Sequence, residues 1–214
     1  MKNKMLLIVS LSLVLIFALA ACSKTAAPTA DPNILLKDDF SSTTSGWDST
    51  TTDNGVTDYV NGGYRIFVNT TKYDLWANPG KSFTDTKVEV DATKLAGPDN
   101  NDFGIQCRYG DVDNYYFAVV ASDGYYGMGK VVNGKQTLFY ENGMPTTDKV
   151  KDGLVTNHIR FDCVGTKLSL YINGDFVDAK DDSALTSGDV GLIAGTFEEA
   201  GTDVSFDNFV VSKP

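Results

Sequence analysis

Apolar and polar residues alternate with a period of two along most of this chain. Beyond residue 22, no stretch repeats its apolar positions at helical spacing for three turns. The pattern is clearest at residues 63–68, 86–92, 115–121, 167–172 and 204–211. Successive side chains of a strand point to opposite faces, so each segment predicts a strand with at least one buried face. Asn-Gly pairs stand at 133/134, 142/143 and 173/174, and Asn-Gly suits the left-handed conformations of tight turns. Residues 131–136 and 171–176 therefore predict β-hairpins. About a dozen strands in one domain are too many for a single open sheet, which predicts an all-β fold, a two-sheet sandwich with jelly-roll connections. No internal repeat suggests a propeller or solenoid.

The N-terminal segment follows different rules. Lys2 and Lys4 precede an uncharged, mostly aliphatic run over 5–21, and small residues lead into Cys22. This order predicts a secretory signal peptide over 1–21. Leu19-Ala20-Ala21-Cys22 resembles the bacterial lipobox, which implies cleavage before Cys22 and acylation of its thiol and amine, palmitate included. Two or more acyl chains hold a protein on a bilayer where one does not. Residues 22–33 are rich in Ala, Thr, Pro, Lys and Ser and offer nothing bulky to bury, so they read as the lipidated residue and a flexible tether. The globular domain is expected over 34–214, outside the cytoplasm, on a bacterial membrane.

Composition narrows the partners. The chain carries 28 acids against 18 bases, a formal net charge of −10, and loss of Lys2 and Lys4 would bring the mature form to about −12. Such a surface lacks the basic footprint that nucleic acids and anionic lipids require. With Cys22 assigned to lipid, Cys107 and Cys163 remain, in an oxidising space. Alternation puts Cys107 on one face with Phe103, Ile105 and Tyr109, and Cys163 with Ile159 and Phe161. Both thiols should point into the core, and a disulfide between neighbouring strands is expected.

Several segments, taken in order, carry a resemblance. They are Asp38-Asp39-Phe40, Ser45-Gly46-Trp47, Gly62-Gly63-Tyr64, Cys107-Arg108-Tyr109, Asp113-Asn114-Tyr115-Tyr116, Leu170-Tyr171-Ile172-Asn173-Gly174, Gly188-Asp189-Val190-Gly191-Leu192 and Phe206-Asp207-Asn208-Phe209. The chain resembles the concanavalin A-like lectin/glucanase superfamily, and within it the LamG-like domains of bacterial surface lipoproteins. Glucanases of this superfamily carry a signature like Glu-x-Asp-x-x-Glu, whose carboxylates share one strand face. Glu89, Glu141, Glu198 and Glu199 do not supply it, and Asp111-Val112-Asp113 reads as a turn. His158 has no nucleophile in a suitable context, so no triad is expected either. The expectation is a protein that is not an enzyme and holds no catalytic cofactor.

The resemblance also implies a structural Ca²⁺, with backbone oxygens from Asp39 and Gly63 and a carboxylate from Asp207. It places Tyr116 in the core, which leaves Tyr115 and Phe117 beside Gln106 and Arg108 on the open, concave face. Trp76 and Tyr125 are further candidates there. Flat rings and planar hydrogen-bonding groups suit a sugar chain. A glycan is thus the expected ligand; the alternative is a protein partner at the cell surface.

Overall fold

A computed structural model describes residues 31–214; the expected signal peptide, Cys22 and most of the tether lie outside the described residues. The described chain forms fifteen strands in two antiparallel sheets and contains no helix. The larger sheet holds β1 (Ile34–Asp38), β2 (Thr50–Thr52), β3 (Gly55–Val60), β4 (Gly63–Val68), β6 (Thr86–Ala96), β11 (Thr156–Val164), β12 (Lys167–Ile172), β13 (Asp175–Asp181) and β15 (Thr202–Ser212). The smaller holds β5 (Asp74–Ala77), β7 (Asn101–Asp111), β8 (Asn114–Val120), β9 (Tyr126–Val132), β10 (Lys135–Leu138) and β14 (Asp189–Thr196). Strand order is β13-β12-β11-β6-β15-β4-β3-β2, with β1 also paired to β15, and β10-β9-β8-β7-β14-β5. The chain changes sheets between β4 and β5, β5 and β6, β6 and β7, β10 and β11, β13 and β14, and β14 and β15. These crossovers make the jelly-roll sandwich that the alternation predicts.

The core lies between the sheets and is built from the inward half of each alternating strand. In β6, Val88, Val90 and Ala92 are fully buried while Lys87, Glu89 and Asp91 face out. Ile159, Phe161, Leu168, Leu170 and Phe206 meet Phe103, Ile105, Tyr116, Met128 and Leu192 from the opposite sheet. Burying each large side chain contributes roughly 1.5–3 kcal/mol, so this interior is the main source of stability. Hairpins close at Asn133-Gly134 (φ 51° and 73°) and Asn173-Gly174 (φ 53° and 90°), the left-handed pairs that two-residue turns require. Asn142-Gly143 falls instead in the long loop between β10 and β11.

Rings from the first three motifs of the resemblance and from its last motif pack together. Phe40, Trp47, Tyr64 and Phe209 pack at centroid distances of 4.9–5.5 Å. Asp38 accepts the Trp47 indole N–H at 2.9 Å and the Phe40 backbone N–H at 2.8 Å, which holds the cluster to β1.

Cys107 and Cys163 are bonded, with Cα atoms 6.8 Å apart, and both side chains are fully buried. The bridge differs from the expected one in where it runs. Its strands, β7 and β11, belong to different sheets, so it crosses the core instead of joining neighbours. The reason is that inward residues of a sandwich confront the other sheet, whereas side chains paired within a sheet stand side by side.

The enclosed segment spans 56 positions, for which chain entropy alone gives about 4 kcal/mol. Cys163→Ala is expected to lower the melting temperature clearly, and adding reductant to the native protein should do the same. Unchanged melting in both cases would show that the bridge contributes nothing to stability.

Candidate functional site

The outer face of the smaller sheet is assembled by parity from β5, β14, β7 and β8. Three rows cross it. Gly195 in β14 stands between Asp74 of β5 and Asp102 of β7; Ile193 stands between Trp76 and Gly104; Gly191 pairs with Gln106, which on its other side faces Phe117 of β8. Small residues in the middle of two rows let the flanking side chains lean together. A Cβ on Gly195 would come within 2.1 Å of Oδ1 of Asp102 and equally of Oδ1 of Asp74, so these two oxygens lie no farther apart than twice that distance. A Cβ on Gly191 would meet Asn78 Nδ2 at 2.3 Å and Gln106 Oε1 at 3.0 Å.

Aromatic rings roof the centre of the face. Trp76 Nε1 donates to the Tyr109 hydroxyl at 3.3 Å, and the Tyr115 ring lies 6.4 Å from Trp76, 5.8 Å from Tyr109 and 6.2 Å from Phe117 between centroids. Val119, Val131 and Ile193 complete this second apolar cluster, with Leu138 and Met144 packed against it. Two clefts open on the face. One, of about 380 Å³, is lined by Lys72, Asp74, Trp76, Asp113, Tyr115 and Gln136 among others. The second, of about 630 Å³, lies by Asn100, Asp123, Tyr125, Asn142, Met144 and Glu198.

The two carboxyls are the electrostatic feature of the site. Burial raises the pKa of Asp74, and burial together with the Asp74 charge raises that of Asp102 well above the ordinary carboxylate range. Asp102 Oδ1 is enclosed and accepts no hydrogen bond. Two acids this close in a partly buried site oppose each other's ionisation, which acts in the same direction as burial. Burial also raises the Tyr115 hydroxyl to about 12, with Asp74, Tyr109 and Asp102 adding to the shift.

Trp76, Gln106, Tyr115 and Phe117 gather on this face as the sequence predicts, but the face is less open than expected. Tyr115 and Phe117 are 5% and 4% exposed, and Gln106 is fully buried with neither amide atom hydrogen-bonded. Tyr125 is exposed but belongs to the other cleft. Arg108 requires a correction. It adopts φ 51° at a bulge that interrupts β7 pairing between Cys107 and Asp111, and only 3% of it is exposed. Its guanidinium donates to the carbonyls of Leu185 and Gly165 at 2.8 and 2.7 Å and pairs with Asp85 at 3.3 Å. Arg108 thus ties loops together and does not face a ligand. The same bulge inserts one position, so Tyr109 leaves the Cys107 face on which alternation puts it and joins Trp76 outside.

For calcium, β1 and β4 pair with adjoining stretches of β15, which brings Asp39, Gly63 and Asp207 toward one region. The Asp39 carboxylate already accepts Ser41 N–H and Oγ–H, and Asp207 Oδ1 accepts Asn208 N–H. Among the described residues no three His, Cys, Asp or Glu side chains converge as metal ligands. That concerns side chains alone, whereas the expected calcium site rests on backbone oxygens of Asp39 and Gly63 beside the Asp207 carboxylate. His158 Nδ1 lies 2.8 Å from Asp91 on the outer face of the larger sheet, and Asp111 caps its own turn by accepting Asp113 N–H. Asp74, Asp102 and Tyr109 are functional candidates that the sequence reading passed over. Asp102 does share parity with Gln106, and Asp74 with Trp76, but pattern alone cannot show that Gly195 stands between the acids.

The chain matches no protein-family profile and no curated protein. Solved structures do match. A carbohydrate-binding module from Bacillus subtilis aligns with a TM-score of 0.64 at 21% identity, over 78% of this chain and 96% of that one. A galectin-like protein of unknown function from Bacillus subtilis aligns at 0.62 and 12% identity, over 85% and 96%. A β-glucanase from Bacillus licheniformis aligns at 0.59 and 11%, over 84% and 97%. At such identities the likeness is one of fold: a galectin-like, concanavalin A-like β-sandwich.

The acid pair makes stability depend on pH. A carboxyl whose pKa is raised by folding binds its proton more tightly in the native state, so its stabilising effect is full below the unfolded value of about 4 and is lost as pH rises through the folded values. Asp102→Asn removes most of this dependence. The melting temperature of the variant should match the wild type near pH 4 and exceed it at pH 7–8. Parallel pH profiles for the two proteins would show that the pair does not titrate in this way.

Proposed function

We propose that this chain is a non-catalytic, lipid-anchored extracytoplasmic protein that binds carbohydrate on the outer face of its smaller sheet. The observation that carries the reading is the cleft of about 380 Å³ where the half-buried Trp76 ring and the edge of Tyr115 adjoin the polar side chains of Asp74, Asp113 and Gln136. Sugars present apolar C–H faces edged with hydroxyls, and rings beside planar amides complement both. A solved carbohydrate-binding module of the same fold supports the reading. The lack of catalysis is supported by where the acids go. Glu89 and Asp91 face outward on the larger sheet, where they flank His158, and Glu198 follows β14 in a loop. The lipid anchor rests on Lys2, Lys4 and Leu19-Ala20-Ala21-Cys22.

A glycan array followed by calorimetry tests the ligand. Saturable binding of an oligosaccharide is expected, and Trp76→Ala should weaken it about tenfold or more while the protein still melts cooperatively. Arg108→Ala should act on stability instead, since it strips a buried guanidinium from its carbonyl partners. Capture of proteins without any glycan would favour the protein-partner reading, and release of reducing sugar from β-glucans would overturn the absence of catalysis. For the anchor, the mature protein is expected to sediment with membranes and to incorporate labelled fatty acid; a Cys22→Ser chain that does both equally would remove lipidation from the proposal.

A further inference from the structure

With 54/55 and 61/62 added to the three already named, the chain holds five Asn-Gly pairs. In such a pair the glycine nitrogen can close a five-membered ring onto the asparagine side chain, because glycine puts no side chain in the way. The fold treats the five differently. Asn61, Asn133 and Asn173 sit in hairpin turns at φ 55°, 51° and 53°. In that left-handed conformation the following nitrogen lies nearly opposite the residue's own Cβ, so the turn has to unwind before a ring can close. Two of these carry further restraints. Gly134 N–H donates to the Asp113 carbonyl at 3.1 Å. Asn173 Nδ2 donates to the Lys149 carbonyl and to Asn157 Oδ1, each at 2.8 Å, while its Oδ1 accepts His158 N–H at 3.0 Å. Asn54 leads into β3, where Gly55 is buried and pairs on both sides, with Thr52 and Val68, and Asn54 Oδ1 accepts the Thr70 hydroxyl at 3.1 Å.

Asn142 has none of these restraints. It is exposed, its φ is not positive, and among the described residues neither its side-chain amide nor the Gly143 N–H has a hydrogen-bond partner. A Cβ on Gly143 would meet nothing within 4 Å, so the loop is open around the pair. We propose that Asn142 is a modification site, at which the protein deamidates itself through a cyclic imide formed with Gly143. The Gly143 nitrogen attacks Cγ of Asn142 and a C–N bond forms. The side-chain nitrogen leaves as ammonia and takes up the proton that the Gly143 N–H gives up. Water then adds to one imide carbonyl or the other, and Asn142 becomes aspartate or isoaspartate. Asn142 lines the cleft of about 630 Å³ together with Asp123, Tyr125 and Glu198. The product replaces an amide, which both donates and accepts, with an acceptor alone. It also adds a third carboxylate to the cleft, so that end of the face grows more acidic as the protein ages.

The test incubates the full chain in detergent at mildly alkaline pH and physiological salt, both native and unfolded by denaturant with reductant, and follows every Asn-Gly pair by peptide mass spectrometry. In the native protein Asn142 is expected to convert about tenfold faster than Asn133 or Asn173, the factor that one hydrogen bond broken before ring closure makes in a rate. In denaturant all the pairs should convert at similar rates, since what separates them is the fold. Asn142→Gln, whose longer side chain closes a ring less readily, should abolish the acidic species that ion exchange resolves and leave the melting temperature unchanged. The products should include isoaspartate, which enzymatic methylation detects. Native conversion at Asn142 no faster than at Asn133 or Asn173 would overturn the proposal, and so would an acidic species that forms as fast in Asn142→Gln. A ranking of rates that persists in denaturant would assign the selectivity to local sequence and overturn the role given to the fold. Aspartate without isoaspartate would overturn the imide route.

Discussion

The bond between Cys107 and Cys163 fixes the smaller sheet onto the larger at the centre of the sandwich, and the shape of the proposed site depends on what β7 does next. Cys107 is the last residue of β7 in regular pairing with β8 before the bulge. Its thiol has to face inward to reach β11. Arg108 then takes the left-handed conformation, one extra residue is absorbed, and Tyr109 emerges on the opposite face. Without that insertion Trp76 would lack the hydroxyl its indole bonds, and the ring cluster around Tyr115 would lack one of its members. One bulge therefore couples the covalent brace of the core to the arrangement of the ligand face.

Glycine supplies the second constraint. The outer face carries Gly104, Gly191 and Gly195 on its central strands, where larger side chains would fill the surface. Each leaves room that a neighbour occupies: carboxyls over Gly195, amides over Gly191. The larger sheet is different, with charged residues such as Lys87, Glu89 and Asp91 along the outer side of β6. Its acids are spaced along strands and solvated or paired. On the smaller sheet two acids are pressed together and partly buried, and both pKa values are raised there.

Strand existence, fold class and hairpin turns were legible because they depend on local rules. Period-two alternation names the inward residues of β6 and β11, and Asn-Gly names two of the turns; β8 is apolar on both faces, and in β15 a bulge after Asp207 moves the inward set from Val204 and Phe206 to Phe209 and Val211. The pairing of Cys107 with Cys163 was legible by count and compartment, while its path across the core was not, since alternation shows that a side chain points inward and not which strand it meets. Arg108 shows the same limit more sharply. Nothing in Cys107-Arg108-Tyr109-Gly110 marks the bulge, and one inserted residue reverses every parity assignment that follows it in the strand.

The sequence by itself determined that this protein folds as two packed β-sheets, which residues of regular strands such as β6 and β11 line the core, and that its surface is acidic. These follow from periodicity, composition and turn chemistry, all of which act over a few residues. Only the tertiary structure decided that Arg108 is a brace, that Tyr109 joins the ligand face, and that Asp74 and Asp102, 28 positions apart, meet over Gly195. Those outcomes depend on register between strands distant in the chain, and register is set by the packing of the whole sandwich, to which no single segment holds the key.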